Sequence, residues 1–62
     1  MRNAEKLIEK RKIAGLSQTA VAKKLGCTSS AVSQYESGKS EPDFETLVKL
    51  AEIYGCTVND FV

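Results

Sequence analysis

The sequence predicts an all-α fold of five short helices, and three observations carry that reading. Glycine falls at Gly15, Gly26, Gly38 and Gly55, each just after a run of helical apolar spacing, where a helix C-terminus favours it. A hydroxyl or carboxylate residue follows each stop within a few positions, at Ser17, Thr28, Asp43 and Thr57, and these are the residue types that cap the next helix. No stretch alternates apolar and polar residues for long, so the strand signal is poor.

The first helix is predicted from Ala4 to Ala14 with Asn3 as its cap. Ala4, Leu7, Ile8 and Arg11 share one face, and Gly15 ends it. The second runs from Gln18 to Leu25 behind the cap Ser17, with Val21, Ala22 and Leu25 as its apolar stripe and Gly26 as its stop. The third opens at the cap Thr28, runs from Ser29 to Ser37 and is closed by Gly38. After the loop Lys39-Ser40-Glu41-Pro42, Asp43 caps a fourth helix, Phe44 to Tyr54, expected to bury Phe44, Leu47, Val48, Ala51 and Tyr54. Thr57 caps a last turn from Val58 to Val62, with Asp60 placed for a capping-box-like pair with Thr57. Leu25-Gly-Cys-Thr and Tyr54-Gly-Cys-Thr echo each other because both are helix-to-helix corners.

A chain of 62 residues allows one domain, here residues 1–62. Apolar residues make up 42% and charged residues 27%, ordinary for a globular chain. No apolar run approaches the ~20 residues of a membrane span, and no signal-peptide pattern opens the chain; the expected location is cytoplasmic, with no membrane partner. There are two cysteines and no histidine, so no metal site and no cofactor are expected, and Cys27 and Cys56 read as small reduced residues. The net charge of +1 is unevenly spread: residues 1–40 hold eight basic and three acidic side chains, residues 41–62 one basic and five acidic. The basic part offers a face suited to phosphates.

The segment 17–37 carries the functional signal. Gly26-Cys27-Thr28 is too short to let the second and third helices lie antiparallel, so they turn sharply, which is helix-turn-helix geometry. On the third helix Ser29, Ser30, Ser33, Gln34 and Ser37 fall within about 140° of arc, with Val32 and Tyr35 opposite. Serine is a middling helix former. A face of short hydroxyls with one amide either simply meets solvent or enters the major groove, where serine reaches bases or phosphates and glutamine pairs bidentately with adenine.

The run Gly15-Leu16-Ser17-Gln18, Val21-Ala22, Leu25-Gly26, Val32-Ser33-Gln34-Tyr35-Glu36-Ser37-Gly38-Lys39, then Pro42, Leu47, Leu50-Ala51 and Gly55, resembles the phage repressor and Cro family of helix-turn-helix proteins. The likeness extends from about Leu7 to Phe61. It implies a lambda-repressor-like domain from a phage or bacterium that binds double-stranded DNA, most often as a transcriptional repressor. Carried over position by position, it implies phosphate contacts from Gln18, which also braces the third helix, and from Thr28. It further implies base-facing positions at Ser29, Ser30, Ser33 and Gln34, and a backbone contact from Lys39. Arg11 shares the face of Leu7, where a charge needs a partner, and Glu36 sits near the edge of the third helix's apolar face. The resemblance implies that these two form a salt bridge between the first and third helices. Ala20 departs from the family's usual glutamate, so the second helix lacks a completed capping box; Glu41 and Asp43 are acidic where some relatives are basic.

Two other classes are weighed. An enzyme finds no support: there is no histidine, no glycine-rich phosphate loop and no small-molecule substrate evident, and Glu5 and Glu9 beside lysines read as a solvated face. The alternative is a protein-interaction module of antitoxin type, but an interaction helix exposes apolar or aromatic anchors and the third helix exposes serine and glutamine. A homodimer is expected, because one small domain reads DNA weakly and two half-sites about one helical turn apart double the contacts. The expected contact is Ile53, Val58 and Val62 in the acidic C-terminal third, with Phe61 mainly in the core.

Overall fold

The computed structural model describes residues 4–61. Four α-helices and a closing 3-10 turn follow in order: α1 Ala4–Ile13, α2 Gln18–Leu25, α3 Ser29–Ser37, α4 Phe44–Tyr54 and the turn Val58–Phe61. No strand occurs among the described residues. The expected five elements are present, the last as a 3-10 turn rather than an α-helix. Asn3 and Val62 lie outside the described residues. The first helix ends one residue earlier than expected, although the Ala14 N–H still reaches the Lys10 carbonyl at 3.0 Å.

Each helix stops by local chemistry. At the end of α2, Gly26 takes φ 77° and ψ 32°, the left-handed region that costs a residue with a Cβ about 1–2 kcal/mol. Its conformation lets the Cys27 N–H bond back to the Ala22 carbonyl at 3.0 Å while Gly26 N–H reaches Lys23 at 3.3 Å, so orphan carbonyls of the last turn are satisfied. The same pair of bonds ends α3 around Gly38 and α4 around Gly55. Helix starts are set by side chains: Ser17 Oγ accepts from Ala20 N–H at 3.0 Å, Thr28 Oγ1 from Ala31 N–H at 3.2 Å and Asp43 Oδ1 from Thr46 N–H at 2.8 Å. At the last turn the pairing runs one way. Asp60 Oδ2 accepts from both the N–H and the hydroxyl of Thr57, at 2.9 and 3.3 Å. The threonine oxygen is thereby used as a donor to the carboxylate rather than as a cap for the Asp60 N–H.

The core is Leu7, Val21, Ala22, Val32, Leu50, Ala51 and Phe61, with Leu16, Leu25, Tyr35, Leu47, Tyr54, Cys56 and Val58 packed against it. Every element contributes, and Phe61 from the last turn is wholly enclosed. The Tyr54 and Phe61 rings meet edge to face, centroids 6.3 Å apart, a favoured aromatic geometry.

Phe44 is a correction. Expected in the core, it is 71% exposed. It occupies the first position of α4 directly after the cap. The buried stripe begins one turn later, at Leu47, and passes through Leu50, Ala51 and Tyr54, while Pro42 is the buried residue before the helix. Leu50, not assigned to the buried face from spacing, is among the most enclosed side chains.

Candidate nucleic-acid interface

The α2–turn–α3 unit presents its two faces to different surroundings. Val32 and Glu36 on the inner side of α3 are buried and Ala31 and Tyr35 are half-buried, while Ser29, Ser30, Ser33, Gln34 and Ser37 are all exposed. Thr28 and Lys39, which flank α3, are exposed as well. The outer face of α3 is therefore a continuous polar surface from the N-cap threonine to the lysine beyond the helix. Both α2 and α3 begin with a capped N-terminus, where unpaired backbone N–H groups and the helix dipole favour anions.

The orientation of α3 is fixed from within by a charged cluster. Arg11 of α1 donates from Nε to Glu36 Oε2 at 2.7 Å and from Nη2 to Oε1 at 3.2 Å. Its Nη1 donates to the Leu16 carbonyl at 2.9 Å, and Gln18 at the start of α2 donates from Nε2 to Glu36 Oε1 at 2.9 Å. One carboxylate thus joins α1, α2 and α3. The pair is largely enclosed, with side-chain exposure of 15% for Arg11 and 5% for Glu36. Hydrogen bonding to Glu36 raises the Arg11 pKa still further above its ordinary value, so the guanidinium is charged at every usable pH. The nearby Tyr54 hydroxyl is pushed up to about 12, first by burial and then by the Glu36 charge, and stays neutral. No buried side-chain polar atom among the described residues lacks a partner.

The residues singled out from sequence fall into three groups. Arg11, Glu36 and Gln18 come together in this cluster, and Gln18 has its amide nitrogen committed there. Thr28, Ser29, Ser30, Ser33, Gln34 and Lys39 form the exposed face. Ile53 and Val58 lie elsewhere, both half-buried, and Val58 packs against the core; Val62 lies outside the described residues. Two further participants lie outside what helical spacing encodes. The Leu16 carbonyl carries no side-chain signal. Ser40, whose hydroxyl donates to Gln34 Oε1 at 3.0 Å, lies beyond the helix. It is brought back by the Gly38 reversal, which only a three-dimensional reading of the C-cap reveals. Among the described residues the large exposed apolar side chains are Ile13 and Phe44, at 73% and 71%.

Comparison with known proteins agrees with this geometry. Residues 7–61 match the helix-turn-helix family. The chain is 42% identical over 55 residues to the SPbeta prophage-derived uncharacterized HTH-type transcriptional regulator YonR of Bacillus subtilis, covering 89% of this chain and 51% of that protein. It is 40% identical over 57 residues to the HTH-type transcriptional regulator PuuR of Escherichia coli, covering 92% of this chain and 31% of PuuR. The chain thus spans about half the length of YonR and under a third of PuuR. Among solved structures, the P22 c2 repressor in complex with a synthetic operator superposes with a TM-score of 0.89 at 27% identity, covering 100% of this chain and 94% of that one. With the capped turn, the buried brace and the family match in agreement, the chain belongs to the helix-turn-helix family.

Proposed function

We propose that this domain binds duplex DNA sequence-specifically as the reading head of a transcriptional regulator, acting most simply as a repressor by occupying its operator. The observation that carries the reading is the outer face of α3: exposed, polar from end to end, rich in short hydroxyls and locked by a buried ion pair behind it. Such a face fits the major groove, which admits a helix whose side chains reach base edges. In this reading Ser29, Ser30, Ser33 and Gln34 face bases, while Gln18, Thr28 and Lys39 lie along phosphates. Phosphate contacts set register and affinity and base contacts set sequence. Gln18 keeps one Nε2 hydrogen for a phosphate while the other remains bonded to Glu36. The protein acts in the cytoplasm and engages its operator as a homodimer. It needs no cofactor for recognition and performs no catalysis.

Selection from a random duplex pool tests this directly. Enrichment of a defined motif is expected, with binding that weakens steeply as salt rises, because phosphate contacts release counterions. Lys39→Ala should weaken all sequences together and flatten the salt slope by about 1. Absence of binding even at low salt would refute the reading. It would favour a protein-interaction module instead, for which the exposed Ile13 and Phe44 offer anchors away from the outer face of α3.

A further inference from the structure

An exposed glutamine ordinarily turns freely about its last bond and shows a neighbour either its carbonyl oxygen or its amide nitrogen. At Gln34 a loop hydroxyl holds the end of the side chain in place. Ser40 Oγ donates to Gln34 Oε1 at 3.0 Å. Ser40 is itself tied to the same residue, since its backbone N–H reaches the Gln34 main-chain carbonyl at 3.3 Å, beside the bond from Lys39 N–H at 3.0 Å. The loop after α3 is folded back by Gly38 at φ 82°, so the hydroxyl is delivered to the outer face from outside the helix. Ser40 is half-buried whereas Gln34 is exposed; the anchor is held and the reader is free to meet a ligand.

We infer that Ser40 is a positioning residue that holds Gln34 ready to read its base. With Oε1 bonded to the loop, the amide still offers both Nε2 hydrogens and the second Oε1 lone pair. Adenine asks glutamine to accept from its N6 amine as well as donate to N7, whereas guanine presents two acceptors, O6 and N7, on its major-groove edge. Either purine edge can be met, and what Ser40 supplies is a fixed approach to it. Holding the side chain before contact also removes rotamer freedom that binding would otherwise have to freeze. The inference rests on the DNA-binding reading above and deepens it at one position.

The test is selection from a random duplex pool with wild type, Gln34→Ala, Ser40→Ala and Ser40→Thr. The position that Gln34 reads is the one whose preference flattens in Gln34→Ala. At that position wild type should enrich one base. In Ser40→Ala that preference should fall about 3- to 10-fold, the worth of one neutral hydrogen bond, with other positions unchanged. Ser40→Thr, which keeps the hydroxyl, should restore it. A wild-type motif that Ser40→Ala leaves unchanged at this position, or weakens equally at every position, overturns the role of Ser40 and leaves the DNA reading standing. A pool from which wild type enriches nothing overturns both.

Discussion

Replacing Arg11 by methionine removes three hydrogen bonds while keeping most of the side-chain stem. Glu36 loses the donors at 2.7 and 3.2 Å, and the Leu16 carbonyl loses its donor at 2.9 Å. What remains is a carboxylate only 5% exposed, still bonded by Gln18 Nε2 at 2.9 Å. Stranding one partner of a buried pair typically costs about 3–5 kcal/mol. At about 0.05–0.15 kcal/mol per residue, a 62-residue chain has a total stability of roughly 3–9 kcal/mol, so the loss takes from about a third to all of it. Arg11→Met should therefore show a urea midpoint, followed by far-UV circular dichroism, lowered by at least about a third. The double variant Arg11→Met/Glu36→Leu should recover much of the loss, because removing both charges leaves no uncompensated ion. Gln18→Ala alone should lose about 1.5 kcal/mol, the low end for a bond to a charged group. If Arg11→Met lost under about 1 kcal/mol, or the double variant were no better than the single one, the cluster would not be what locks α3.

Three further outcomes are expected. Asp43 is held below its ordinary pKa by hydrogen bonding from Thr46, and Asp60 by the Thr57 backbone N–H. Lowered folded values mean that their stabilisation is present above the unfolded value of about 4 and is lost as pH falls through the folded values, so Asp43→Asn and Asp60→Asn should each flatten the acid limb of a urea-midpoint profile; an unchanged limb would refute this. Gly26→Ala should lose about 1–2 kcal/mol, entirely from the backbone because an added Cβ meets nothing within 4 Å. Gly26→Asn should lose less, and equal losses in urea melts would contradict a purely conformational cause. Sedimentation with a palindromic duplex should show two protomers per duplex, and Ile53→Lys should reduce this toward one; one protomer per duplex for wild type would end the proposed homodimer.

Helix limits were readable because they rest on local chemistry: Ser17, Thr28 and Asp43 cap where they stand in sequence, and α2, α3 and α4 begin and end where the caps and glycines put them. Burial was less readable. Phe44 continues the stripe of Leu47 and Ala51 in spacing, yet the first turn of α4 extends past the core, and only the packing of α1, α2 and the last turn decides how far the core reaches. Leu50 shows the converse, a residue adjacent to the expected face that is only 2% exposed. At the candidate site, polarity and exposure of α3 follow from 100° periodicity. The Ser40–Gln34 bond does not, since it spans a chain reversal. Likewise Gln18 and the Leu16 carbonyl join the Arg11–Glu36 pair through tertiary proximity of α1, α2 and α3, which periodicity within one helix does not encode.

The shortness of the helices bears on folding speed. The longest, α4, has 11 residues and α2 only 8, below the ~12–15 at which even alanine-rich peptides hold helix in water. None persists alone, so each forms on docking. The glycine stops confine each segment before it docks, so the search is among short preset rods joined by tight corners. Such local connectivity belongs to the class that folds in microseconds to milliseconds. The domain therefore closes almost as soon as its last turn folds and Phe61 seals the core.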